Sequence, residues 1–276
     1  MSDRSDLRVR KVQYSVGRPL LSDIDLTFRS GELTALSGPS GSGKTTLLSV
    51  MGGLIQPDQG SAEYADQDMW LGTGDPRQEV AFVLQVYGLI PILSARENVS
   101  VALRARGVDP EEADERAAEA LARFHIADLG DRQVEELSGG QMQRVACARG
   151  FVVGADILLA DEPTSELDES NRELVLSELR REAQRGAVVV VATHDPAVVA
   201  ACDAHYMLDE GRVVDHIEAV HLHGADPARH RAAEEVPEPD ESEESEPEQS
   251  PAAQEPAPVT TPEETDDWAF RRPADD

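Results

Sequence analysis

Gly38-Pro39-Ser40-Gly41-Ser42-Gly43-Lys44-Thr45 is the stretch on which the fold turns. It satisfies G-x-x-x-x-G-K-[ST], a spacing in which a glycine-rich turn aims backbone N–H groups inward at phosphate oxygens. The flanks agree with that reading. Leu33–Ser37 (LTALS) reads as a strand entering the loop, and Thr46–Met51 (TLLSVM) as the start of a helix leaving it. The helix N-terminus adds its dipole and its free N–H groups to the cradle. Lys44 is then expected to reach the β- and γ-phosphates of a nucleotide, and the Thr45 hydroxyl to hold Mg2+. A Gly/Ser-rich turn that merely contains a lysine has no reason to meet every position and both flanks.

Further along, Ile157-Leu-Leu-Ala-Asp161-Glu162 is an apolar strand ending in two acids. Charges at the carboxyl end of a buried strand in an open α/β sheet lie where ligands bind. Asp161 is expected to hold Mg2+ directly or through water. Glu162, one residue later and pointing elsewhere, is expected to polarise an attacking water. Ala187–Ala192 is a second continuous apolar run, the pattern of a parallel strand covered on both faces. Leu7–Val16, Asp23–Phe28 and Val80–Gln85 read as β-rich runs, and Ala204–Val214 as the last patterned strand. Pro110–Phe124 is different: Ala113, Ala117, Leu121 and Phe124 recur at helical spacing. The order predicts an α/β domain carrying an inserted helical subdomain.

Charge narrows the function classes. The 276 residues carry 25 Lys and Arg against 54 Asp and Glu, a formal net charge of −29. That excludes a nucleic-acid binder, whose affinity comes from cations set against phosphates. From Arg231 onward there are 16 acidic and 3 basic residues, so the preceding chain is acidic as well, at −16. Composition changes near residue 230 to Pro, Glu, Ser and Ala, which cannot bury enough to offset ordering entropy. We therefore expect a folded domain over 1–218 and an acidic disordered tail over 219–276. The tail's Asp267-Trp268-Ala-Phe-Arg-Arg-Pro reads either as a docking peptide for a partner or as unselected terminal sequence. Cys147 and Cys202 read as reduced thiols, and His216, His221, His223 and His230 lack fixed metal-ligand spacing. The first residues have no signal-peptide core, and no stretch approaches the ~20 apolar residues of a membrane helix, so membrane service implies docking to another protein.

Leu137-Ser138-Gly139-Gly140-Gln141 matches the signature sequence of ABC ATPases, and the following MQRVACAR resembles the helix that continues it. Ser138 and two glycines open a helix N-terminus, a second anion cradle. One chain holds one set of phosphates, so a second cradle points to ATP held between two subunits. In the family's order, Tyr14 resembles the aromatic that stacks on adenine, and Gln85 the Q-loop glutamine. Ser165-Glu-Leu-Asp168 resembles the D-loop, and His194 the switch histidine.

The resemblance implies a P-loop NTPase of the ABC ATPase type, with a mixed-sheet core, an antiparallel β subdomain and a helical subdomain over about residues 87–136. It implies ATP and Mg2+, the metal held by Thr45, Gln85 and Asp161. Tyr14, the Gly38–Thr45 loop, Thr46 and Gln85 would bind the nucleotide. Ser138, Gly139, Gly140, Gln141 and Asp168 would serve it in the dimer. Lys44, Gln85, Glu162 and His194 would carry catalysis. Expected partners are a second copy of the chain and an integral membrane permease at the cytoplasmic face. Gln85–Val99 (QVYGLIPILSARENV) resembles the macrolide-exporter, lipoprotein-release and cell-division group. That implies an exporter or lipid extruder or, alternatively, a non-transporting mechanotransmission complex that regulates cell-wall hydrolysis. The chain departs from the family at Gly150, usually Ala, at Glu166, commonly smaller, and in a short Gln59–Gln78 segment.

Overall fold

A computed structural model describes residues 5–218. The expected boundary between Glu218 and Arg231, the tail with Trp268, and His221, His223 and His230 lie outside the described residues. Strands β1 (Leu7–Val16), β2 (Arg18–Phe28) and β3 (Leu33–Ser37) lead into α1 (Lys44–Met51). Then come β4 (Gln59–Tyr64), β5 (Gln67–Asp68), β6 (Val80–Val83), α2 (Ala95–Arg104), α3 (Pro110–Arg123) and α4 (Gly139–Phe151). The remainder alternates: β7 (Ile157–Asp161), α5 (Glu169–Gln184), β8 (Val188–Thr193), α6 (Pro196–Ala200), β9 (Ala204–Asp209) and β10 (Arg212–Glu218).

Six strands form one sheet in the order β10-β9-β3-β8-β7-β6, parallel from β9 to β6 with β10 antiparallel at its edge. The other four form an antiparallel sheet, β2-β1-β4-β5. The central strands are apolar throughout because both faces are covered. Leu158, Ala160, Val189 and Val191 face a core built with α2–α5. Ile157, Leu159, Val188, Val190 and Ala192 face a second core with α1 and the antiparallel sheet. Each large side chain buried here contributes about 1.5–3 kcal/mol. The carboxyl ends of β3, β7 and β8 emerge side by side, at one edge of this sandwich.

Several segments differ from the sequence reading. β2 begins at Arg18 rather than Asp23, pairing with the end of β1 through Ser15–Pro19 and Val16–Arg18. Ala204–Val214 is not one strand but the greater part of a hairpin. Glu210 and Gly211 have φ of 45° and 73°, and two successive left-handed residues make the tight turn that matches strand twist. β4 escapes a period-2 reading because, of its six residues QGSAEY, only Ala62 and Tyr64 are buried.

The segment between β6 and α4 is helical. Ser94 and Glu97 form a reciprocal cap on α2, and Asp109 caps α3 with Pro110 in its first turn. Ser100 Oγ donates to Asp114 Oδ1 at 2.6 Å, and Arg104 reaches both carboxylate oxygens at 2.8 and 2.9 Å. α3 is tied to α5 by Arg123, whose Nε donates to Glu178 Oε2 at 2.8 Å, while its Nη2 lies 3.6 Å from Glu182. The Gly150 departure has a packing cause. A Cβ there would stand 2.8 Å from Val83 Cγ2 and 3.0 Å from the Phe82 carbonyl, because α4 lies directly on β6. Cys147 and Cys202 are free, and burial pushes both thiols up to about 12, which leaves them poor nucleophiles.

Candidate nucleotide site

The loop from β3 to α1 needs glycine where the backbone is pressed against its neighbours. Gly38 has φ 142°, and a Cβ there would lie 2.0 Å from the Leu208 carbonyl. Gly43 has φ 106°, with the same point 2.8 Å from the Leu20 carbonyl. Lys44, though buried, is held ready, its Nζ donating to the carbonyls of Gly38 and Pro39 at 2.8 and 3.0 Å. The Ser42 hydroxyl is buried inside the loop without a hydrogen-bond partner. An orphaned donor of that kind costs about 1–3 kcal/mol.

The carboxyl ends of β7 and β8 complete the site. Thr45 Oγ1 donates to Asp161 Oδ2 at 2.7 Å. Burial pushes the Asp161 carboxyl above its ordinary range and the neighbouring Glu162 charge pushes it further, against the Thr45 hydrogen bond and Lys44. Such a carboxylate is under-compensated and favours a cation beside it. Glu162 sits at φ 48°, a left-handed conformation costly for a branchless acid without cause. Its N–H donates to the Ala192 carbonyl at 2.9 Å, which swings the side chain away from that of Asp161. Only 7% of Glu162 is exposed, and its Oε1 lies 2.7 Å from His194 Nδ1. Thr193 Oγ1 approaches the other oxygen at 3.5 Å.

These groups share one cavity of about 570 Å³. It brings together Pro39, Ser40, Gly41 and Gly43–Thr46 of the loop with Gln85, Asp161, Glu162 and His194, while Gly38 and Ser42 do not line it. Thr45, Asp161 and Gln85 present hard oxygen donors, a set that suits Mg2+. The cavity also takes in Ser165, the first residue of the D-loop stretch, and Arg18 and Leu20, which sequence reasoning missed. The missed signal was the chain reversal at Gly17, which sends β2 back past the loop.

Other expected residues lie elsewhere. Tyr14 does not line the cavity; it pairs with Leu21 across β1 and β2 and packs against the second core. Arg18 and Leu20 of β2 line the cavity. Ser138 and Gln141 do not line it either. They cap α4 reciprocally, the Ser138 N–H donating to Gln141 Oε1 at 2.9 Å and the Gln141 N–H to Ser138 Oγ at 3.4 Å. Gly139 and Gly140 form the first turn of that helix. Asp168 caps α5, accepting from the Asn171 N–H at 2.9 Å, and that bond holds its carboxyl below the ordinary range.

A glycine loop between β3 and α1, with Asp161 and Glu162 at the end of a neighbouring parallel strand, defines a phosphate-loop nucleotide-hydrolysing domain. Within that class, the family described as ABC transporter matches residues 21–165, more than half of the chain. The chain belongs to the ABC transporter family and is an ABC ATPase. Macrolide export ATP-binding/permease protein MacB of Nitrosomonas europaea is 40% identical over 200 residues, 71% of this chain and 30% of that protein. An uncharacterized ABC transporter ATP-binding protein of Mycobacterium bovis is 42% identical over 200 residues, 70% of this chain and 61% of that one. The chain thus spans under a third of the exporter's length and under two thirds of the mycobacterial protein's. Among solved structures, the ATP-binding cassette MJ0796, dimeric in a post-hydrolysis state with ADP and Pi, superposes with a TM-score of 0.70. It is 31% identical and covers 77% of this chain and 98% of that one.

Proposed function

We propose that this chain is the ATP-hydrolysing subunit of an exporter, in which two copies close around two ATP molecules and drive an integral membrane permease from its cytoplasmic face. One observation carries the reading. Lys44, Asp161, Glu162 and His194 share a phosphate cavity that the Ser138–Gln141 cradle does not line, so the cradle is free to serve another copy's nucleotide. The dimeric state of the MJ0796 cassette supports this pairing. The likeness to MacB, a macrolide export protein, favours export over the mechanotransmission alternative. A permease partner is supported by the apolar rim after Gln85, where Val86 is 86% and Ile92 82% exposed. Among the described residues no helix is long and apolar enough to cross a membrane.

Catalysis then rests on positioning and charge. The loop N–H groups and Lys44 fix the phosphates. Thr45, Asp161 and Gln85 would hold Mg2+, which offsets charge on the β- and γ-phosphates. Glu162 orients and polarises water for in-line attack. His194, at 2.7 Å from Glu162, exchanges that contact for the γ-phosphate. In the closed pair, Ser138 and the N–H groups of Gly139 and Gly140 face the partner's γ-phosphate.

Mixing two inactive variants tests the shared site. Lys44→Ala loses its own nucleotide, and Ser138→Arg loses its cradle for the partner's. Each alone should turn over ATP at about a hundredth of the wild-type rate, the scale of one lost charge-stabilising group. Together they rebuild one composite site, so turnover and an ATP-dependent heterodimer should return. Absence of both on mixing refutes the shared site. Paired Val86→Asp and Ile92→Asp should release the chain from membranes without loss of ATP turnover; retention there refutes the docking rim.

A further inference from the structure

Glu166 stands where the family commonly carries a smaller side chain, and its surroundings give that departure a consequence. The turn between β7 and α5 lays it over the first turn of α4. Its Oε2 is 3.3 Å from the position a Cβ on Gly139 would take, and its carbonyl oxygen is 2.9 Å from the corresponding position on Gly140. The Tyr87 hydroxyl lies 3.6 Å from that same position above Gly139. Tyr87 is itself pinned. It has φ 43°, and its carbonyl and that of Gly88 accept from Arg149 of α4 at 2.6 and 2.5 Å. Burial and then the Glu166 charge push the Tyr87 phenol up, so the carboxylate is felt at this point. Two glycines thus open space beside the α4 N-terminus, and a carboxylate from the same chain borders it.

A carboxylate is favoured at a helix N-terminus for the same reason that a phosphate is. We propose that Glu166 is a built-in anion that competes with the γ-phosphate of the partner copy's ATP for the Ser138–Gly140 cradle. This rests on the reading that the cradle serves a second copy. Glu166 then sets the ATP concentration at which two copies close, without touching the reacting atoms. It is exposed, so it can swing aside once the triphosphate arrives, and it resists closure only by its charge. The Tyr87 contact puts this competition beside the Q-loop, two residues from Gln85, which lines the chain's own phosphate cavity. Occupancy of one site is thereby coupled to the cradle offered to the other.

One unit charge about a side-chain length from a triphosphate, partly solvated, shifts half-saturation by about tenfold. In the full chain, Glu166→Gln keeps the size and removes the charge, while Glu166→Ala removes both. Both should lower the ATP concentration for half-maximal turnover, and for half-maximal dimerisation by light scattering, about tenfold at ~0.05 M salt. The maximal rate should stay within about twofold, and in ~1 M salt the difference from wild type should shrink to about twofold as screening shortens. Unchanged or raised half-saturation in both variants overturns the proposal, as does a lowered maximal rate at constant half-saturation. Ser138→Arg separates the two levels. If it blocks dimerisation while Glu166→Gln changes nothing, only the role of Glu166 falls. If Ser138→Arg dimerises normally in ATP, the shared-cradle reading falls with it.

Discussion

Replacing Glu162 by Gln removes one charge at almost no cost in volume. The amide oxygen in the place of Oε1 can still accept from His194 Nδ1 at 2.7 Å, and the amide NH2 in the place of Oε2 can donate to the Thr193 hydroxyl at 3.5 Å. The fold should therefore survive: a weakened hydrogen bond of about 1 kcal/mol lowers Tm by about 2–4 °C in a unit of this size. The chemistry should not. A positioned general base contributes about 10²–10⁴-fold, so kcat should fall at least ~10²-fold. ATP should bind more tightly, because the carboxylate faces the triphosphate and also pushes up the Asp161 carboxyl. At about 5 Å and an effective dielectric near 20, two unit charges repel by about 3 kcal/mol, and solvent screening leaves about tenfold in affinity. Single-turnover quenched flow gives the chemical step, a fluorescent nucleotide gives affinity, and light scattering after size exclusion gives mass. The expected species is an ATP-loaded dimer that does not turn over, with monomer in its absence. A kcat within tenfold of wild type at unchanged Tm refutes Glu162 as the group that polarises water. A monomer with ATP bound refutes the pairing.

Three changes away from the nucleotide test the scaffold. Arg123→Ala leaves Glu178 and Glu182, each with a side chain only 8% exposed, to Arg181 and Arg185 alone. Because those partners remain, the loss should be about 2 kcal/mol rather than the 3–5 of a fully broken buried pair, or about 4–8 °C in Tm; a shift under about 1 °C refutes it. Gly150→Ala gains about 1 kcal/mol of helix propensity but forces a methyl to 2.8 Å from Val83 Cγ2. Overpacking costs about 1–3 kcal/mol, so urea unfolding should show net destabilisation, and a more stable variant refutes the packing account. Asp114→Asn tests pH dependence. The Ser100 hydrogen bond, with Arg104, holds the Asp114 carboxyl below its ordinary range, so the folded state binds that proton less tightly than the unfolded chain. Its contribution is fully present above the unfolded pKa of about 3.9 and is lost as pH falls through the lower folded value. With the carboxylate half exposed, the variant should lose about 1 kcal/mol at pH 7, and the difference should vanish near pH 2; a gap that persists there refutes the linkage.

What could be read without coordinates was what short stretches determine. The phosphate loop, the acid pair after Ile157–Ala160 and the Ser138 cap are each contiguous, and their chemistry follows from backbone geometry over a few residues. Continuous apolar runs announced β7 and β8 because parallel central strands are covered on both faces. β4 stayed hidden because only its last four residues alternate half-buried with buried, too short a stretch to announce a strand. The start of β2 was missed because Arg18–Ser22 owes its strand state to pairing with β1 rather than to its own pattern.

The tertiary structure alone decided which distant groups meet. His194 stands against Glu162 because β7 and β8 are neighbours, a matter of strand order that no local window contains. Arg18 and Leu20, rather than Tyr14, line the cavity because the hairpin after Gly17 folds back over the loop. Gly150 is required by Val83, and Glu166 reaches Gly139, through packing between segments far apart in the chain. A motif carries its donors and acceptors along its own backbone. The contacts between motifs depend on how two covered faces of a sheet pack, and that is settled only when the whole domain closes.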